Sequence, residues 1–84
     1  MFLVKVYTFP KTGVLDPQGS AIKAAVSSSG FERVKDVQTG KYYEVRIDAG
    51  DKAKTQEIVK ELCQNILVNP VIEDYEFEIM EEQA

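Results

Sequence analysis

Histidine is absent from this 84-residue sequence. That removes the commonest general base, the side chain whose ordinary pKa lies nearest neutrality. A lone cysteine, Cys63, has no partner for an internal disulfide, so nothing in the sequence asks for an oxidising compartment. No stretch approaches the roughly 20 apolar residues of a membrane-spanning helix. The opening Met1-Phe2-Leu3-Val4-Lys5 alternates at once, where a signal peptide would run apolar. Basic charge is scarce too: 10 Lys and Arg against 14 Asp and Glu give a formal charge of −4. That balance disfavours nucleic acid and anionic membranes, both of which reward clustered cations. Together these absences describe a soluble, cytoplasmic protein with no evident reaction centre.

What is present is ordinary and globular, 44% hydrophobic and 29% charged, in a chain with room for one domain over residues 1–80. A chain this short buries roughly 60–65% of the surface its unfolded form exposes, and small domains commonly offset the thin margin by oligomerising. Disorder is expected only in the tail, Glu81 to Ala84.

Residues 2–9 alternate as a strand, with Phe2, Val4 and Val6 on one face and Leu3, Lys5, Tyr7 and Phe9 on the other. The second face is too apolar to be left simply solvated, so Leu3, Tyr7 and Phe9 are assigned to a dimer face. After the turn-rich Pro10-Lys11-Thr12-Gly13, Asp16 suits a helix N-cap and Pro17 the first helical position. Ala21, Ile22, Ala25, Val26 and Ser29 trace one side of that helix, and Gly30 fits a left-handed C-terminal cap. Residues 33–39 and 41–47 read as a hairpin about Gly40-Lys41. A second helix from Lys52 to Leu67, capped by Asp51, carries the stripe Ile58, Val59, Leu62, Cys63, Ile66 and Leu67. Asn69-Pro70 ends it, because the residue before proline is pushed out of the α region. Residues 71–79 alternate as a final strand. The expected fold is α+β, the ferredoxin-like β-α-β-β-α-β order, with an antiparallel sheet, two helices on one face and dimerisation through the other.

The candidate chemistry is thin. Cys63 lies on the buried stripe, far from its helix N-terminus, and reads as core packing. Asp74, Glu76 and Glu78 share a strand face, but neighbours there are about 6–7 Å apart, too wide for a compact hard-cation site. The hydroxyls of Ser20, Ser27, Ser28, Ser29 and Thr55 have no base beside them. Ferredoxin-like RNA readers place alternating aromatics on the open face, yet Tyr42 is followed there by Glu44 in an acidic domain. No catalytic residue, cofactor ligand or metal ligand is assigned. The segment from Gly13 to Gly19 reads equally as a loop feeding a capped helix, with Gly19 approaching the sheet closely, or as a contact loop. The second reading supports an alternative function, a regulatory module that binds a small ligand at this loop across a dimer.

Three segments taken together sharpen the choice. Val14-Leu15-Asp16-Pro17-Gln18-Gly19, Gly40-Lys41-Tyr42 and Asn69-Pro70-Val71-Ile72-Glu73-Asp74-Tyr75 closely resemble PurS, the small subunit of bacterial and archaeal phosphoribosylformylglycinamidine (FGAM) synthase. The resemblance runs from the first strand through Phe77. It implies a non-catalytic homodimeric subunit of an ATP- and glutamine-dependent ligase of purine biosynthesis. That subunit bridges a glutaminase and a synthetase and supports ammonia transfer between them, with ATP and Mg held by the synthetase. On this reading Asp16, Pro17, Gln18, Gly19, Gly40, Lys41, Asn69, Pro70, Glu73, Asp74 and Tyr75 are partner-contact positions. Two residues depart from the family pattern. Gln38 stands where an arginine is frequent, which removes the basis for a charged contact there, and Val68 stands where a smaller residue is common.

Overall fold

The expected alternation produces the sheet. The computed structural model describes residues 1–82. In it Phe2–Pro10 form β1, Lys41–Ile47 form β2 and Glu73–Glu81 form β3, an antiparallel sheet in the order β2-β1-β3. The register sets Val4 between Val45 and Ile79, and Val6 between Tyr43 and Phe77. One face is therefore a continuous apolar floor. The other carries Leu3, Lys5, Tyr7 and Phe9, flanked by Tyr42, Glu44 and Arg46 on one side and by Asp74, Glu76, Glu78 and Met80 on the other.

Two helices accompany the sheet, α1 over Pro17–Ser28 and α2 over Lys52–Leu62. Asp51 caps α2 through its carboxylate, which accepts from the Lys54 N–H at 2.7 Å. Thr55, Val59 and Cys63, four residues apart, are buried against the sheet. Val4, Val6, Ile47, Val59, Cys63 and Val68 form the core, and each fully buried Val or Ile contributes about 1.5–3 kcal/mol.

The end of α2 departs from the straight 3.6-residue stripe. Residues Cys63–Leu67 widen into a π turn, closed by the Val68 N–H donating to the Cys63 carbonyl at 3.1 Å. The extra residue rotates Ile66 out to 73% exposure and brings Val68 in to 6%. Val68 thus replaces Ile66 as the last core residue of this stripe.

The largest departure lies between α1 and β2. No strand forms over residues 33–39, so the order is β-α-β-α-β with three strands, and the expected hairpin about Gly40-Lys41 is absent. The chain is pinned elsewhere at that point: both the N–H and the hydroxyl of Thr39 are taken by Asp16, and Gly40 lies directly against the Thr8 carbonyl. That leaves no room for a fold-back alongside β2. Helix α1 also makes little contact with the sheet, and Gly19 is its buried residue. Together α1 and residues 29–38 form an arm that draws the molecule out to 51 × 29 × 14 Å.

The arm is nonetheless well built locally. Gly30 at φ +90° receives the chain after α1, its N–H donating to the Ser27 carbonyl and the Phe31 N–H to the Val26 carbonyl, the paired bonds of a Schellman cap. At the other end of the chain, β3 runs through Glu81 and the Glu82 N–H donates to the Met1 carbonyl at 2.9 Å, so order extends past the expected start of the tail. Its remainder, residues 83–84, lies outside the described residues.

Candidate partner interface

The three sequence segments that carry the family resemblance meet at one end of the sheet. Pairing of Thr8 with Lys41 and of Pro10 with Glu73 places the end of β1 beside the starts of β2 and β3. The β1–α1 loop, the Gly40 approach to β2 and the turn before β3 therefore converge.

Asp16 organises the first two of these segments. Its Oδ1 accepts from the Gly19 N–H at 3.0 Å and the Thr39 hydroxyl at 2.9 Å, and its Oδ2 accepts from the Thr39 N–H at 2.9 Å. It is the expected cap of α1 and, in addition, a clasp joining the two ends of the arm. These hydrogen bonds, from the Thr39 N–H first and the Gly19 N–H next, hold the Asp16 carboxyl below its ordinary range. Gly19 is explained by the same clasp. A Cβ there would lie 2.5 Å from Asp16 Oδ2 and 2.7 Å from the Val37 carbonyl, so the close approach is to the clasp and the far side of the arm, and the sheet is not involved. At Gly40 a Cβ would collide with the Thr8 carbonyl oxygen. Thr39 was not legible as a functional position, because a single threonine before a glycine carries no periodic or motif signal.

The third segment is a side-chain-stabilised turn. Asn69 Oδ1 accepts from the Val71 N–H at 3.1 Å, and Glu73 Oε1 accepts from the Asn69 N–H at 2.9 Å. The Glu73 N–H returns to the Asn69 carbonyl at 2.8 Å, which delays β3 until Glu73, two residues later than its alternation predicts. The turn is joined to the β1–α1 loop by the Lys11 N–H donating to the Ile72 carbonyl at 2.9 Å and by a Lys11–Asp74 salt bridge at 2.6 Å. Asn69 and Glu73 thus have a local structural role, while Pro70, Val71 and Asp74 face solvent. Pro17, Gln18, Gly40 and Lys41 are exposed at the same end, and Tyr75 is half-buried. Thr8 Oγ1, also at this end, is buried and lacks a hydrogen-bond partner among the described residues, at a cost of about 1–3 kcal/mol.

The chemistry available here is recognition. Between the loop and the arm lies a cleft of about 430 Å³, lined by Lys11, Asp16, Ser20, Lys23, Asp36 and Gln38 among others, with both charge signs represented. Among the described residues, no three His, Cys, Asp or Glu side chains gather as a metal site. Burial pushes the Cys63 thiol up, away from thiolate reactivity. On the open face Tyr7 and Tyr42 pack with centroids 5.2 Å apart, and the Tyr42 hydroxyl donates to Glu44 at 2.9 Å. Desolvation first, then that hydrogen bond, pushes the Tyr42 phenol up to about 12.

The fold and these surfaces define a small α+β docking protein whose contact elements gather at one end and on one open sheet face. Comparison with known proteins makes the class specific. The family described as PurS: Phosphoribosylformylglycinamidine (FGAM) synthase matches residues 3–81. The chain is 47% identical to the phosphoribosylformylglycinamidine synthase subunit PurS of Bacillus subtilis over 81 residues, covering 96% of this chain and 95% of that protein. The solved B. subtilis PurS structure in its C2 crystal form superposes with a TM-score of 0.87, covering 96% of this chain and all of that one. A chain of the PurLQS structure from Thermotoga maritima matches at 31% identity with a TM-score of 0.84, covering 95% of this chain and 99% of that one. The chain belongs to the PurS family of FGAM synthase subunits.

Proposed function

We propose that this chain is the docking subunit of a cytoplasmic FGAM synthase, holding the glutaminase and the synthetase together so that ammonia passes between them. The observation that carries this reading is the near-complete match to a chain of PurLQS, in which a PurS subunit is assembled with PurL and PurQ. The physical need is plain: ammonia released into solvent would be diluted and protonated, so its source and acceptor have to be held together and shielded. The convergent end of the sheet supports the docking role. Pro17, Gln18, Gly40, Lys41, Pro70 and Asp74 present exposed contacts there, on a frame that Asp16, Gly19, Asn69 and Glu73 fix and that the half-buried Tyr75 borders. ATP and Mg belong to the synthetase in this scheme. The chain self-associates through the open face that bears Leu3, Tyr7 and Phe9.

Reconstitution tests the role directly. With the glutaminase, the synthetase, Mg-nucleotide and glutamine, leaving out this chain should abolish amidine formation, while ammonium salt as nitrogen source should still support it. Equal rates with and without the chain in both assays would refute the bridging role. Tight binding of an amino acid or nucleotide by the isolated chain would then favour the ligand-binding alternative at the β1–α1 loop.

A further inference from the structure

Two features of the chain are left incomplete. The arm carries exposed apolar residues with nothing of its own chain to cover them: Ile22 at 40%, Phe31 at 61% and Val34 at 38% exposure. A 12-residue helix is marginal in water without a packed face. On the open face, a groove of about 410 Å³ runs along β3, lined by Tyr7, Tyr75, Glu76, Phe77 and Glu78. The alternation of the strands puts the side chains of Tyr7, Glu76 and Glu78 on that face together. Tyr7 itself is 38% exposed.

Charge matches the two. Residues 17–38 carry Lys23, Arg33 and Lys35 against Glu32 and Asp36, a formal +1 in a chain of −4, so the remainder carries −5. Around the groove, Asp74 is occupied by Lys11 and Glu82 by Arg46, whereas no salt bridge among the described residues reaches Glu76 or Glu78. Arg33 and Lys35 alternate with Val34 in an extended, unpaired stretch, and Phe31 stands just before them. The arm leaves its own sheet at the Asp16–Thr39 clasp, so the groove it suits is that of another molecule.

We propose that the arm of one copy seats on the open-face groove of a second copy. Phe31 and Val34 pack toward Tyr7, and Arg33 and Lys35 face Glu76 and Glu78. The exchange is reciprocal, as a two-fold pair requires. This rests on the self-association proposed above and assigns it residues: the open face is completed by the partner's arm and not by a second open face alone.

A mixing experiment tests it by sedimentation at moderate salt, with circular dichroism as the check on folding. In one variant the arm is reversed, Arg33→Glu with Lys35→Glu; in the other the groove is reversed, Glu76→Lys with Glu78→Lys. All four positions are exposed, so the sheet is expected to stay folded. Like charges set against each other should weaken self-association by about 100-fold in each variant alone. Mixing the two should restore the dimer, because each arm then meets a groove of opposite sign on the other chain. Dimers that persist in either variant alone, or a mixture that stays monomeric, would overturn the arm assignment while leaving self-association itself intact. A wild-type chain that is monomeric at every concentration would overturn both. Glutamine-dependent synthesis in the reconstituted complex reports separately on the docking function.

Discussion

The sheet with α2 and the arm with α1 draw on the same kinds of residue and end in opposite states. Along β1 and α2, apolar side chains at strand and helix spacing meet across an interface, and Val4, Val6, Val59 and Cys63 are almost wholly removed from water. In the arm, Ile22, Val26, Phe31 and Val34 have comparable spacing, good caps at both ends and no facing layer within the chain. Hydrophobic periodicity says which side of an element seeks burial. It does not say whether the burying surface belongs to the same molecule.

The comparison is sharpest where a side chain is removed from the body. Val4→Ala leaves a cavity beneath α2 and should cost about 2–3 kcal/mol in urea unfolding, a large share of what an 84-residue domain has. A loss below about 0.5 kcal/mol would mean that the body is not the stable unit described here.

Gly40→Ala comes next, and it strikes the junction of body and arm. The added Cβ meets the Thr8 carbonyl, which is backbone and has little freedom to move. A destabilisation of about 1–3 kcal/mol is expected, with the β1–β2 amides losing hydrogen-exchange protection before those of β1–β3. Equal loss across both ladders would show that the strain is shared and not local to the junction.

Asp16→Ala should leave the body intact and loosen the arm. Exchange of the Gly19 and Thr39 amides should accelerate by on the order of tenfold while that of the Val4 and Val6 amides stays unchanged. Acid should act on the same bonds. The folded-state pKa of Asp16 lies below its unfolded value of about 3.9, so the clasp contributes in full above that value and is lost as pH falls through the lower, folded one. Exchange-corrected protection at Gly19 and Thr39 should therefore collapse below about pH 4 in the wild type and show no such step in Asp16→Asn. A step that survives the substitution would place the acid-sensitive group elsewhere.

How much of this was legible in the sequence follows from range. Asp16 and Asp51 as caps, Gly30 as a left-handed terminator and the inward faces of β1 and β2 depend on residues within a turn or a strand of each other, and the structure has them where expected. The strand over 33–39 failed because alternation is a local signal, whereas strand formation needs a partner, and Thr39 and Gly40 are held by Asp16 and Thr8 from outside the segment. Ile66 was misplaced because a π turn changes the period without a residue that announces it. The contact segments were visible as three separate runs, and only their convergence at one sheet end, with Lys11 tying the turn to the loop, required three dimensions.

Ile22→Ser is the smallest effect and the most direct test of the contrast. It removes an apolar side chain of the same class as Val4 from a helix whose outward faces are exposed. Measured at dilutions where the chain is monomeric, the change should stay within about 0.5 kcal/mol, the range of a surface substitution. Serine also gives up a few tenths of a kcal/mol in helix propensity, so a slight destabilisation is expected and not zero. A loss near that of Val4→Ala would mean that α1 finds a burying surface within its own chain, and the distinction between a packed body and an open arm would fall. A loss that grows with protein concentration would instead show α1 becoming covered as copies associate, because only a group buried in the assembly is felt through mass action.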